Sequence, residues 1–125
     1  MNLLAVFIGG GLGSLARYGV STAMTTVINS TLPLATLISN LASCVIFGAG
    51  FYFFPEKMGE NSTFKLLVIT GFCGGFSTFS TFSFETLELF RNGNIFYAIA
   101  NIAISIITCS AILYFLVSEK ILREA

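Results

Sequence analysis

Runs of apolar residues at 3–28, 34–54, 66–84 and 95–117 occupy nearly the whole chain, separated by short polar stretches. A helix needs about 20 mostly apolar residues to cross a bilayer. The pattern therefore predicts four membrane-spanning helices in a single domain, 1–125, with no extramembrane domain. The connections are NSTLP at 29–33, PEKMGENST at 55–63 and RNGN at 91–94. They are short enough that sequential helices pack antiparallel. The first run has no basic segment before it and carries Arg17, so it reads as a retained span and not as a cleaved signal.

Composition agrees with the pattern. Apolar residues make up 55% of the chain and charged residues 10%, with mean hydropathy +0.89. Soluble domains carry about a quarter charged residues, so this chain cannot cover a globule with polar groups. Charges gather at Glu56, Lys57, Glu60 and Lys65, at Glu85, Glu88 and Arg91, and at Glu119, Lys120, Arg123 and Glu124. No basic patch suggests nucleic acid. With four spans, Lys57, Lys65, Lys120 and Arg123 share a side with both termini, while Arg91 lies opposite. The positive-inside rule then gives a mild preference for cytoplasmic termini.

Polar residues inside the spans fall at helical spacing. Thr36, Asn40 and Ser43 form one stripe, and Asn101, Ser105 and Thr108 another. Gly10, Gly13, Arg17 and Ser21 mark a similar face of the first span. Helix packing accounts for any one stripe, and Gly9/Gly13 and Gly71/Gly75 are GxxxG pairs. Taken together, the stripes line a route for something polar.

The segment GFCGGFSTFSTFSFE, 71–85, is the most informative. Gly74-Gly75 followed by Ser77 and Thr78 is poor material for a continuous helix. Non-helical backbone inside a bilayer persists only where protein or a cavity satisfies it, and broken membrane helices aim freed carbonyls at cations and freed amides at anions. The third span is therefore expected to break near its middle and to form an ion site. Phe76, Phe79 and Phe82 recur every third residue. Aromatic edges are electropositive, so with Ser80, Thr81 and Asn40 they offer an anion neutral donors that bind without trapping it. Arg17, an intramembrane cation, makes one end of the route electropositive or pairs with Glu85 or Glu88. Cys44, Cys73 and Cys109 have no paired spacing and no His to join them, and read as small buried residues.

Three motifs carry a resemblance across essentially the whole chain: GGLGSLARY at 10–18, TLISN at 36–40 and the 71–85 segment. The sequence resembles the small bacterial fluoride channels called Fluc or CrcB. That resemblance implies a multi-pass protein of the bacterial inner membrane, an antiparallel homodimer inserted in both orientations, and passive fluoride conduction through two pores. It implies a structural sodium ion at the dimer centre on the backbone carbonyls of Gly74 and Ser77. It places Phe79, Phe82 and Asn40 in the pore, with Ser80, Thr81, Thr36 and Ser105 as a hydroxyl track. Arg17 matches the vestibule arginine and Glu85 a glutamate near the pore end. Fluoride, a second copy of the chain and the lipid bilayer are then its partners.

The favoured function is passive export of fluoride from the cytoplasm; the chain carries no Walker motif or soluble domain to couple energy. A proton-coupled multidrug exporter is the second reading, and it needs an intramembrane carboxylate; the first, second and fourth spans carry none. A non-conducting assembly subunit is the third. The chain does not read as an enzyme, having no His, no paired buried carboxylates and no activated cysteine.

Overall fold

The computed structural model describes residues 1–28 and 33–118. Residues 29–32 of the first predicted connection and the charge cluster Glu119, Lys120, Arg123 and Glu124 lie outside them. The described residues form four helical spans: α1 (Asn2–Val27), α2 (Leu34–Phe53), a divided third span (Thr63–Arg91) and a fourth (Ile95–Ser118). The third comprises α3 (63–76) and α4 (Phe79–Arg91). The fourth is α5 (Ile95–Leu113), prolonged by a wider π-type turn, Tyr114–Ser118. Each span begins and ends within a few residues of the apolar run that predicts it, except that the third extends further at both ends.

Local chemistry sets the ends. The Ser62 side chain accepts from the Lys65 amide and starts α3. At the end of α4, Gly93 adopts φ 81, and the Gly93 and Asn94 amides donate to the Phe90 and Leu89 carbonyls. This paired closure requires a left-handed residue, which glycine supplies. The RNGN turn therefore stops the helix where the sequence places it.

The core is small and half polar, with Ala5, Ile69, Cys73, Phe76, Leu89 and Ala98 as its apolar part. Thr36, Ser39, Ser43, Asn101 and Ser105 are buried, while Phe7, Leu15, Ile107 and Phe115 are exposed to the surroundings of the chain. Such inversion suits a lipid solvent, because apolar tails gain nothing from leaving lipid and small residues let helices approach. α1 packs chiefly on α3, and α2 on α5. In the α1–α3 seam the GxxxG faces meet: a Cβ at Gly9 would lie 2.1 Å from the Leu67 carbonyl oxygen, and one at Gly13 would lie 2.2 Å from that of Phe72. The part of α3 in this seam, Leu66–Cys73, is wound as a π-helix.

Side chains tie the remaining helices. Ser43 Oγ donates to the Cys73 carbonyl at 3.1 Å, and Cys73 Sγ returns a bond to the Ser43 carbonyl at 3.6 Å. Asn101 Nδ2 donates to Thr86 Oγ1 at 3.1 Å, and that hydroxyl donates to the Phe82 carbonyl at 2.8 Å. Asn101 thus joins α5 to α4. Thr108 bonds back to the Ile104 and Ser105 carbonyls of its own helix. Thr86→Ala leaves the buried Asn101 amide without its acceptor. Interhelical bonds in membranes are worth about 0.6 to 1.7 kcal/mol, so the variant is expected to unfold a few degrees lower in detergent. An unchanged unfolding temperature would show that this bond does not hold α4 to α5.

Candidate functional site

The third span breaks at Ser77 and Thr78, whose backbones are extended (φ −80, ψ 155 and φ −151, ψ 122). Gly74–Phe76 remain helical. The glycine pair is therefore not the breaking element. A Cβ at Gly75 would lie 2.4 Å from the Gly10 carbonyl oxygen, so this glycine serves close approach to α1. The break itself is made by hydroxyls. Ser77 Oγ donates to the Cys73 carbonyl at 2.7 Å and closes α3. Thr78 Oγ1 accepts from the Thr81 amide at 3.3 Å and opens α4.

Two residues from other helices hold the interruption. Asn40 Oδ1 accepts from the Thr78 amide at 2.9 Å, and Asn40 Nδ2 reaches the Thr78 carbonyl at 3.5 Å. The Thr78 amide is the donor that a continuous helix would give to the Gly74 carbonyl. Arg17 Nε donates to the Gly75 carbonyl at 3.2 Å. The end of α3 thus presents carbonyls, and the start of α4 presents the amides of Phe79 and Ser80, which have no acceptor within their helix. The partial charges at such ends amount to about half an elementary charge each. One break therefore offers a cation-attracting end and an anion-attracting end.

The predicted residues divide among three cavities around this break. Arg17, Thr36, Thr81 and Glu85 line one of about 210 Å³ with Ser14, Ser21 and Ser39. There Thr36 Oγ1 donates to Glu85 Oε1 at 2.8 Å. Glu88 pairs instead with Arg91, at 3.0 Å, and Arg17 is engaged with the Gly75 carbonyl. Asn40, Phe79, Phe82 and Ser105 line a second cavity of about 340 Å³. The Phe79 and Phe82 rings lie 5.9 Å apart and tilted by 40°. Gly74 and Ser77 line a third cavity of about 370 Å³ with Ser43, Thr70 and Cys73. Ser80 is exposed, with its hydroxyl 3.4 Å from that of Thr78.

Phe76 parts company with the other two phenylalanines. It is buried against Phe72, with ring centroids 5.4 Å apart, whereas Phe79 is 80% exposed. The period of three is real in sequence, but the break at 77–78 rotates the chain between Phe76 and Phe79. Sequence reasoning also missed Ser39 and Thr86. Ser39 is fully buried, and its hydroxyl, like Glu85 Oε2 and Ser105 Oγ, has no hydrogen-bond partner among the described residues. Positions 36, 39, 40 and 43 share a helical face, so the signal for Ser39 was present in the second span. Cys44 and Cys109 both border the second cavity, although nothing in their spacing relates them.

Asn40 has no substitute as the clamp. Asn40→Ala removes both contacts and leaves the half-buried Thr78 amide without its acceptor, a loss toward the lower end of the about 1–3 kcal/mol that a fully buried orphaned donor costs. The variant is expected to lose thermal stability in detergent by more than Thr86→Ala, while Asn40→Asp, which retains an acceptor for the Thr78 amide, loses less. Equal stability of Asn40→Ala and the unaltered protein would remove the clamp from the account.

These features define a class: a small four-helix membrane protein whose third span is interrupted by a polar, ion-attracting break. The chain belongs to the CrcB family, described as CrcB-like protein, Camphor Resistance (CrcB), which matches residues 4–117. It is 46% identical over 105 residues to "Fluoride-specific ion channel FluC" of Enterobacter sp. (strain 638), covering 84% of this chain and 82% of the relative. The protein of the same name from Serratia proteamaculans (strain 568) is 44% identical over the same shares. That from Coxiella burnetii (strain CbuK_Q154) is 39% identical over 112 residues, 89% of this chain and 90% of the relative. The chain is a multi-pass protein of the bacterial inner membrane.

Proposed function

We propose that this protein is a fluoride-selective passive channel that lets fluoride leave the cytoplasm, working as an antiparallel homodimer with two pores. The observation that carries the reading is the first turn of α4. Phe79 and Ser80 stand exposed on a single chain in the middle of a membrane span, beside the Asn40-clamped break. Exposed Thr70, Gly74 and Ser80 on the same span suit burial against a second copy better than contact with lipid. The names of the relatives support fluoride as the ion.

Each group has a task in this reading. Arg17 concentrates anions at one end. Thr81 and Ser80 offer hydroxyl donors, with Ser105 on the neighbouring helix, while Thr36, whose hydroxyl proton is committed to Glu85, lines the route beside them. Phe79 and Phe82 offer ring edges and Asn40 an amide, so a dehydrated anion meets donors but no fixed cation. Glu85, held by Thr36, marks the pore end. Fluoride is small and needs many close donors to replace its water, and chloride fits a narrow track badly.

The residues at the break also suit a structural sodium ion. Hard cations take oxygen ligands, and the end of α3 supplies them as backbone carbonyls. Among the described residues no group of three or more His, Cys, Asp or Glu stands together as an alternative metal site. The carbonyls of Gly74 and Ser77, paired with those of a second copy, would hold the ion and supply a fixed positive charge at the dimer centre. A Cβ at Gly74 would meet nothing within 4 Å in this chain, which leaves that backbone approachable from outside.

The test is efflux from liposomes containing the purified protein, read with a fluoride electrode and repeated with chloride. Fast fluoride loss with negligible chloride loss is expected. No fluoride loss from folded, inserted protein would overturn the reading.

A further inference from the structure

Three consecutive carbonyls near the end of α3 have different partners. The Cys73 carbonyl accepts from the Ser77 amide at 3.0 Å, from Ser77 Oγ at 2.7 Å and from Ser43 Oγ of α2 at 3.1 Å. The Gly75 carbonyl accepts from Arg17 Nε of α1 at 3.2 Å. Between them, the Gly74 carbonyl has no donor among the described residues. Its helical donor would be the Thr78 amide, four residues on. That amide instead donates to Asn40 Oδ1 at 2.9 Å. Gly74 is exposed, and a Cβ there would meet nothing within 4 Å.

We infer that Asn40 is a positioning residue for the cation at the break: by taking the Thr78 amide, it keeps the Gly74 carbonyl open for the ion. The inference rests on the sodium site proposed above and names the side chain that keeps it available. A backbone amide inside a bilayer must find an acceptor within the protein. Without Asn40, ordinary helical pairing returns the Thr78 amide to the Gly74 carbonyl. That bond would occupy one of the oxygen's two lone pairs. It would also set the positive end of an N–H dipole where the cation has to sit. Asn40 acts through the amide and does not itself touch the ion.

The two ends of the Asn40 amide then have separate tasks. Oδ1 is committed to Thr78. Nδ2 reaches the Thr78 carbonyl only at 3.5 Å, beyond the usual range of an N–H···O bond, and so remains able to donate elsewhere. Asn40 also lines the cavity that contains Phe79 and Phe82. A single side chain thereby serves the cation site through its oxygen and the anion route through its nitrogen.

The experiment desalts the purified protein, in detergent, into N-methylglucamine chloride and counts the sodium that stays bound by elemental analysis. The unfolding temperature is then measured with added sodium chloride and with the same concentration of added N-methylglucamine chloride. A ligand that binds only the folded protein raises that temperature. The unaltered protein is expected to retain sodium through desalting or to gain unfolding temperature when sodium returns. Thr86→Ala, which loses a bond elsewhere, should unfold lower yet show the same sodium response. Asn40→Ala should show neither retained sodium nor a response. Asn40→Asp, which keeps an acceptor for the Thr78 amide, should behave toward sodium as the unaltered protein does. Asn40→Ala that binds sodium normally would overturn the inference. So would folded Asn40→Asp that does not bind it, a result that decides even where Asn40→Ala fails to fold. Unaltered protein with neither sodium signal would overturn the cation site and this inference with it. Unaltered protein that binds sodium but passes no fluoride would overturn the channel reading alone.

Discussion

Phe79→Ile and Phe82→Ile are each expected to remove most fluoride efflux while leaving a folded protein. Phe79 is 80% exposed on the single chain, so its ring contributes little to holding this chain together. Isoleucine retains apolar bulk but has no ring quadrupole and therefore no electropositive edge. What is lost is a donor surface for a dehydrated anion. Liposome efflux measures the loss, and unfolding temperature and size-exclusion profile in detergent should stay near those of the unaltered protein. Normal efflux in both variants would sink the ring-edge mechanism. Unfolded variants would show instead that the rings are structural.

Gly13→Ala is expected to lose the folded protein altogether. The added Cβ would lie 2.2 Å from the Phe72 carbonyl oxygen and 2.8 Å from the Phe76 amide nitrogen. Both are backbone atoms, so no side-chain rotation relieves the clash, and α1 must move off α3. The displacement also pulls Arg17 from the Gly75 carbonyl and loosens the break. Gly11→Ala is the control, because a Cβ there meets nothing within 4 Å. Extraction yield and size-exclusion profile should separate the two. A well-behaved Gly13→Ala protein would mean that the seam has room the structure does not show.

Some of the site was readable in advance because its signals are local. Thr36, Asn40 and Ser43 lie on one helical face, and that face does turn inward, with Thr36 and Ser43 buried and Asn40 on the break. The 71–85 segment contains the interruption, as its composition suggests. Its position within the segment was not readable. Glycine has a high intrinsic cost in helices, which points to Gly74-Gly75. Both glycines remain helical, Gly75 serving close approach to α1, and the Ser77 and Thr78 hydroxyls supply the end and the start that a break requires. The sequence raised Glu85 and Glu88 as partners for Arg17. Its actual acceptor, a main-chain carbonyl on another helix, leaves no mark in composition.

The sequence alone determined that this protein crosses the membrane four times, where each crossing lies, and that the third is interrupted. Those properties depend on apolar run length and residue type, which a bilayer reads one segment at a time. The tertiary structure decided which polar face meets which. In lipid the apolar residues of every helix are equally at ease on all sides, so hydropathy cannot orient a span. Orientation came from glycine contacts between α1 and α3, from Asn40 reaching across to Thr78, and from the Asn101–Thr86 bond. These are pairings between distant residues, and only the folded chain brings them within bonding distance.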